Sequence, residues 1–144
     1  MSRSATGPLK AVAAGYEVKT ELAPGGYLLS ALAGTADADF AASVRGQVMP
    51  KLKPPEVVDW IADATLVTKF APTLVKPASE VMRDFKAREG RHVIWVIPEG
   101  SIIRMAAMSV NLASNLLGGT KIVVVATMQD AVRTLNELRL GGGT

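Results

Sequence analysis

Two short apolar runs, HVIWVI at residues 92–97 and KIVVVA at residues 121–126, constrain the fold more than any other feature. Each is too short to span a membrane and too apolar to keep one face in water, so each is predicted to be a buried strand. The segment between them, residues 101–117, has helical spacing and ends at Gly118-Gly119, a favourable helix stop. Buried strands that alternate with helices pair in parallel through right-handed crossovers, which predicts an α/β fold.

A predicted hairpin precedes these elements. Residues 16–23 alternate apolar and polar side chains, as a strand with one face in water does. Pro24–Gly26 supplies the turn, and residues 27–34 supply the second strand. The hairpin adds an antiparallel edge to the parallel strands, so the sheet is predicted to be mixed.

Three further helices and one further strand complete the predicted order. They are a helix capped by Thr35 or Asp37 and ended by Pro50, a strand over residues 56–63, a helix with Leu74, Ala78, Val81 and Phe85 on one face, and a last helix that opens with a capping box at Thr127. The order is β-β-α-β-α-β-α-β-α. One mixed-sheet α/β domain is therefore predicted over residues 15–140, between flexible tails at residues 1–14 and 141–144.

Composition excludes several classes of protein. The chain has 144 residues, of which 49% are hydrophobic and 20% charged, as in an ordered globular domain. It has no cysteine, which removes disulfides, thiolate catalysis and cysteine-bound metals. A net charge of +3 without a basic stripe, and only 5% aromatic residues, disfavour nucleic-acid binding. Without a signal peptide or membrane span, the protein is expected to be cytoplasmic.

No set of residues has the pattern of an active site. His92 is the only histidine, and scattered carboxylates around one histidine do not predict a metal site. Asp59 and Asp63 share one face of the third strand, where solvation or turn capping is the expected role rather than acid/base chemistry. We therefore predict no catalytic residue, no metal and no cofactor, and we expect that the chain is not an enzyme.

The third predicted helix is apolar over well over half of its circumference, whereas a helix packed on a sheet needs a stripe only about 100° wide. The excess indicates either deep core or a surface for a ligand or a second subunit. The residues chosen for this ligand or interface helix are Ile103, Met105, Met108 and Leu112. A homo-oligomer is expected in either functional case.

The stretches VVDWIADATLVTKFAPTLVKPASEVM, residues 57–82, and HVIWVIPEGSIIRMAAM, residues 92–108, together with the element order, resemble the STAS and STAS-like domains. This is the SpoIIAA-like fold of bacterial anti-sigma-factor antagonists and of regulatory domains on stressosomes and anion transporters. The resemblance covers roughly Tyr16 to Leu138. It implies a regulatory or signalling module that binds other proteins.

In the antagonist branch, the corresponding region has the pattern D-L-S-x-V-T-x-I-D-S-S-G, in which a serine at the start of the next helix is phosphorylated. Asp63, Thr65 and the pair Val67-Thr68 match the first half of this pattern. Pro72 stands where the phosphorylated serine would be, and proline has neither a hydroxyl nor an amide hydrogen. Thr73 is a weak candidate for a displaced phosphoacceptor.

The resemblance therefore implies a non-enzymatic regulatory or scaffolding module that binds a partner protein, such as a kinase-like or other signalling regulator, at the junction of the third strand and second helix. The predicted partner-binding residues are Asp63, Thr65, Thr68, Lys69, Thr73, Lys76, Arg83 and Lys86. The alternative is that a small apolar, lipid-like ligand lies between the sheet and the helices, as in some STAS-like proteins.

Overall fold

A computed structural model describes residues 15–141 of the chain. Its strands are β1 (Tyr16–Ala23), β2 (Tyr27–Ala36), β3 (Val58–Phe70), β4 (Gly90–Val96) and β5 (Ile122–Val125). Its helices are α1 (Ala38–Val48), α2 (Val75–Ala87), α3 (Ile103–Leu116) and α4 (Met128–Gly141). The predicted tails at residues 1–14 and 142–144 lie outside the described residues, and Gly141 is the last residue of α4 rather than part of a tail.

The five strands form one sheet in the order β1-β2-β3-β4-β5. β1 pairs with β2 in antiparallel orientation, and every later pair is parallel. The predicted α/β fold with a mixed sheet, and the predicted element order, are thus confirmed. Because each parallel strand lies beside the next strand in the sequence, each connecting helix crosses only one position of the sheet.

Two hydrophobic cores lie on opposite faces of this sheet. On one face, side chains of α1, α2 and α3 pack against strand residues such as Trp60 and Val93. On the other face, Ala131 and Leu135 of α4 pack against Ile61 and Ile94. Successive residues of a strand point to opposite faces, so Trp60 and Ile61 belong to different cores.

Side-chain caps begin α1 and α4 as predicted. The Asp37 carboxylate accepts a hydrogen bond of 2.9 Å from the Phe40 amide. The Thr127 hydroxyl accepts one of 3.0 Å from the Asp130 amide. Each cap satisfies a first-turn amide that has no partner within its helix, so these helix starts are determined locally.

Two strands differ from their predictions. β3 continues seven residues beyond the predicted end at Asp63, because β2 continues beside it and Ala36 pairs with Phe70. β5 was predicted to be buried but pairs only with β4 at the edge of the sheet, and its last three valines are only half-buried. The presence or absence of a neighbouring strand, rather than the hydrophobicity of the segment, therefore decides the length of β3 and the burial of β5.

Asp59 is not solvated as expected, because its side chain is only 1% exposed on the α4 face of β3. Its carboxylate accepts hydrogen bonds from Arg91 at 3.0 and 2.7 Å and from Arg139 of α4 at 2.8 Å. Arg139 also donates to the carbonyl oxygens of Gly25 and Gly26 in the β1–β2 turn. This one carboxylate therefore connects β3, β4, α4 and the hairpin turn.

Burial raises the pKa of Asp59, but the hydrogen bonds and charges of Arg91 and Arg139 outweigh burial and hold the pKa below its usual value. The carboxylate is therefore ionised in the folded protein at neutral pH.

Among residues 15–141, no helix combines the length and the apolar character needed to cross a bilayer.

We predict that Asp59→Asn lowers the free energy of unfolding at pH 7 by roughly 2–4 kcal/mol, because it leaves two arginines without their anion in a partly buried site. The wild-type folded pKa lies below the unfolded pKa. The stabilisation is therefore complete above about pH 4 and is lost as the pH falls through the folded pKa. Urea unfolding from pH 7 to pH 2 measures both effects.

Asp63→Asn is the matched control. It lies on the same strand but is only half-buried, and among the described residues its carboxylate accepts hydrogen bonds from Thr65 alone. Its free energy of unfolding should change by less than about 1 kcal/mol. Equal losses in the two variants would show that the Asp59 ion pairs do not stabilise the fold.

Candidate functional site

The end of β3 is paired on one side only among the described residues. β4 ends at Val96, which lies opposite Asp63, whereas β2 stays paired with β3 as far as Phe70. The seven residues Ala64–Phe70 thus have β2 on one side and, within residues 15–141, no strand on the other. We call this segment the free edge of β3.

Polar side chains cover part of the free edge. Asp63 Oδ1 accepts hydrogen bonds of 3.0 Å from the Thr65 amide and 2.6 Å from the Thr65 hydroxyl. Thr65, Thr68 and Lys69 are exposed, and so is Leu66, with 53% of its surface in water. The Asp63–Thr65 bonds satisfy one amide of this segment locally, and the side chains of Leu66, Thr68 and Lys69 remain exposed.

The structure brings four of the predicted partner-binding residues onto one strand segment, namely Asp63, Thr65, Thr68 and Lys69. They lie within β3, although the predicted strand ended at Asp63. The polar pattern of Thr65, Thr68 and Lys69 resembles a loop, and register shifts between β2 and β3 disturb the alternation of a strand.

Thr73 and Lys76 lie next to this segment. Thr73 is exposed in a short 3-10 turn, Pro72–Leu74, that leads directly into α2. Lys76 is exposed in the first turn of α2. The phosphorylation of Thr73 stays a prediction, since an exposed hydroxyl near a helix start is also an ordinary surface feature.

The other two predicted residues lie elsewhere. Arg83 follows Thr73 by ten positions, about 15 Å along the helix axis, and hydrogen-bonds to the neighbouring Asp84. Lys86 lines a shallow polar depression with Arg91 and Lys121, at the opposite end of the parallel strands. The eight predicted residues therefore do not form one site.

An apolar cavity of about 50 Å³ lies between the sheet and α1, α2 and α3. The free edge of β3 contributes Ala64, Val67 and Phe70 to its wall. Seven alanines line it: Ala36, Ala41, Ala62, Ala64, Ala78, Ala106 and Ala107. Small side chains on all sides leave space that larger ones would fill, and an apolar cavity does not favour water.

The alternative prediction of an apolar ligand between the sheet and the helices points to this region, but the alanines that line the cavity were not identified from the sequence. Trp95 also lines the cavity, and its buried Nε1 has no hydrogen-bond partner within residues 15–141. An unpaired buried N–H costs free energy, so it marks a place where an acceptor group would be favourable.

The predicted interface helix, α3, is divided between core and surface. Ile103 faces the core and lines the cavity, with 6% of its surface exposed, so of the two predicted roles its position fits a ligand wall rather than a subunit interface. Met105, Met108 and Leu112 are 69%, 68% and 64% exposed, which places them on the solvent side of α3.

His92 lies beside Asp59 at the start of β4. It is half-buried in β4, and its amide donates to Asp59 Oδ1 at 3.2 Å. Burial lowers the pKa of its imidazole, so the ring is neutral at pH 7. Its buried Nε2 has no hydrogen-bond partner in the described part of the chain, where no three His, Cys, Asp or Glu side chains group around a metal position.

The fold is of the SpoIIAA-like, STAS-like type. The chain is similar to a solved structure, an uncharacterized protein of the DUF3478 family with a SpoIIAA-like fold from Shewanella loihica PV-4. The two share 13% sequence identity with a TM-score of 0.58, over 84% of this chain and 94% of that chain. No family model and no curated protein matches the sequence. At this identity the similarity defines the fold alone, and function depends on local sites.

We predict that Ala64→Val raises the free energy of unfolding by roughly 1 kcal/mol, because two added methyl groups fill apolar space and valine favours strands. The matched control is Ala31→Val, which makes the same change on β2 at a half-buried position that does not line the cavity. Thermal and urea unfolding compare the two variants. Destabilisation by Ala64→Val alone would mean that the cavity is too small for the added groups.

Proposed function

We propose that this chain is a regulatory protein-interaction module without catalytic activity, and that it binds a partner protein through the free edge of β3. The proposal depends on one observation, the pairing of Ala64–Phe70 with β2 on one side and with no described strand on the other. A partner segment in extended conformation can add to that edge as a further strand.

Backbone hydrogen bonds would supply the affinity. In a parallel pair, alternate residues direct their N–H and C=O groups toward one neighbour or the other. About half of the backbone groups of the free edge therefore point away from β2, toward the side where no described strand pairs with it. Each hydrogen bond to a partner strand contributes on the order of 1 kcal/mol.

Exposed side chains would supply specificity. Leu66 offers an apolar contact, and Lys69 together with Lys76 at the start of α2 provides two cations near the edge. A partner segment with an acidic residue and an apolar residue at alternate positions fits this arrangement. The STAS-like resemblance supports a cytoplasmic signalling partner of the kinase-like type.

We predict that Leu66→Lys weakens partner binding at least tenfold, because a lysine on a strand edge opposes the addition of another strand. Val57→Lys is the matched control, since Val57 is 55% exposed and precedes β3. The tagged wild-type chain is isolated from its own cells, a bound protein is identified by native mass spectrometry, and its Kd is measured for each variant.

Equal affinities for the wild type, Leu66→Lys and Val57→Lys would rule out the free edge as the binding site. Thermal unfolding of each variant accompanies the binding measurement. A lower affinity then counts only if the melting temperature is unchanged.

The cavity supports a second candidate function, the binding of a small apolar, lipid-like ligand. Its wall is apolar, and at about 50 Å³ it accommodates only part of a longer molecule. We predict that benzene, as a probe, shifts the NMR signals of the Ala62 and Ala106 methyl groups in the wild type and not in Ala64→Val. Equal shifts in both proteins would place the probe outside the cavity.

A further inference from the structure

The solvent side of α3 carries a row of large apolar side chains. Met105, Met108, Leu112 and Leu116 are 69%, 68%, 64% and 80% exposed, and we call these four residues the outer face of α3. Ile102 extends the row at its N-terminal end, with 74% of its surface exposed. At about 100° per residue, the four residues lie opposite the buried Ile103 and Val110.

The size of this surface is at the limit for a monomer. Five side chains that are each roughly 70% exposed present on the order of 500 Å² of apolar surface, in the upper range of the largest patch on typical monomers. Two such faces in contact would bury on the order of 1,000 Å² in total, which is about the minimum for a specific interface.

The outer face also carries no charge. Arg104 is the one charged residue of α3, and its guanidinium donates at 3.0 and 3.3 Å to the carbonyl oxygens of Ile97 and Pro98, at the end of β4. The charge of Arg104 therefore lies at these carbonyl oxygens and not on the outer face of α3. A surface without charge matches an uncharged apolar surface, and a second copy of the same face meets that requirement without repulsion.

We propose that α3 is a homodimer interface, in which the outer faces of two copies pack antiparallel about a two-fold axis. The proposed register places Met105 opposite Leu116 of the second copy. It also places the small Ser109 opposite Leu112. Small residues opposite large ones let the helices interdigitate, and antiparallel helix dipoles attract each other. A parallel arrangement would place each large side chain against its own copy.

The interface is isologous, so each residue of the face contributes twice. It lies on α3 and does not involve the free edge of β3. A result against the homodimer therefore would not count against the proposed partner binding, and the reverse also holds.

Sedimentation equilibrium of the full chain tests the proposal. The chain mass is 15.1 kDa, and we expect the wild type to sediment as a species of twice this mass. Leu112→Asp should weaken the dimer by about 100-fold, since it places two charges in the centre of the interface. Leu140→Asp is the matched control, because Leu140 is 88% exposed on another helix, and its dimer should be unchanged.

Cross-linking tests the register, since the natural chain has no cysteine. An oxidised mixture of Ser109→Cys and Leu112→Cys chains should give more mixed disulfide dimer than either chain gives alone, because only the mixed pair is adjacent in the antiparallel register. A predominance of like pairs would overturn that register.

A wild-type chain that stays monomeric at the highest attainable concentration would overturn the homodimer itself. A dimer that Leu112→Asp leaves intact would do the same, because the contact would then lie on another surface. Thermal unfolding confirms that each variant is folded before its mass is interpreted.

Discussion

Asp59 holds a negative charge on the face of the sheet that α4 covers. Residues of β4, α4 and the β1–β2 turn are connected through this charge. Arg91 reaches it from β4 and Arg139 reaches it from α4, and Arg139 continues to the carbonyls of the β1–β2 turn. A buried carboxylate would be strongly unfavourable alone, and Arg139 of the last helix adds a second arginine to the one that β4 supplies. The small second core beneath α4 then packs in one register.

A mismatch in strand length is the second organising feature. β3 outruns β4 by seven residues, and both candidate binding features follow from this difference. The backbone of Ala64–Phe70 lacks a described strand on one side, and three side chains of the same segment form part of the cavity wall. Edge pairing and occupation of the cavity would therefore act on the same stretch of chain. The apolar face of α3 is a separate surface, on the opposite side of that helix from the cavity.

The SpoIIAA-like fold does not itself assign a function to this chain, because unrelated activities share common folds. The local features carry the argument. In the resemblance to the antagonists, Pro72 stands at the phosphorylated position, and proline has no hydroxyl that could accept a phosphate. A strand edge and an uncharged helix face bind through backbone groups and apolar area, neither of which needs a charged switch.

The amino-acid sequence by itself determined the element order, the helix caps and the parallel sheet, because these depend on local hydrogen bonds and on side-chain periodicity. Tertiary structure decided the features that depend on distant residues. The partners of Asp59 lie 32 and 80 residues away along the chain, so its burial was not predictable from its neighbours. Periodicity did not show which side of α3 faces water, because apolar residues cover well over half of its circumference. Contact with α2 and the sheet buries Ile103, whereas Met105 lies on the other side of the helix and stays exposed. β3 is longer than predicted because β2 continues beside it, and strand length is decided by pairing.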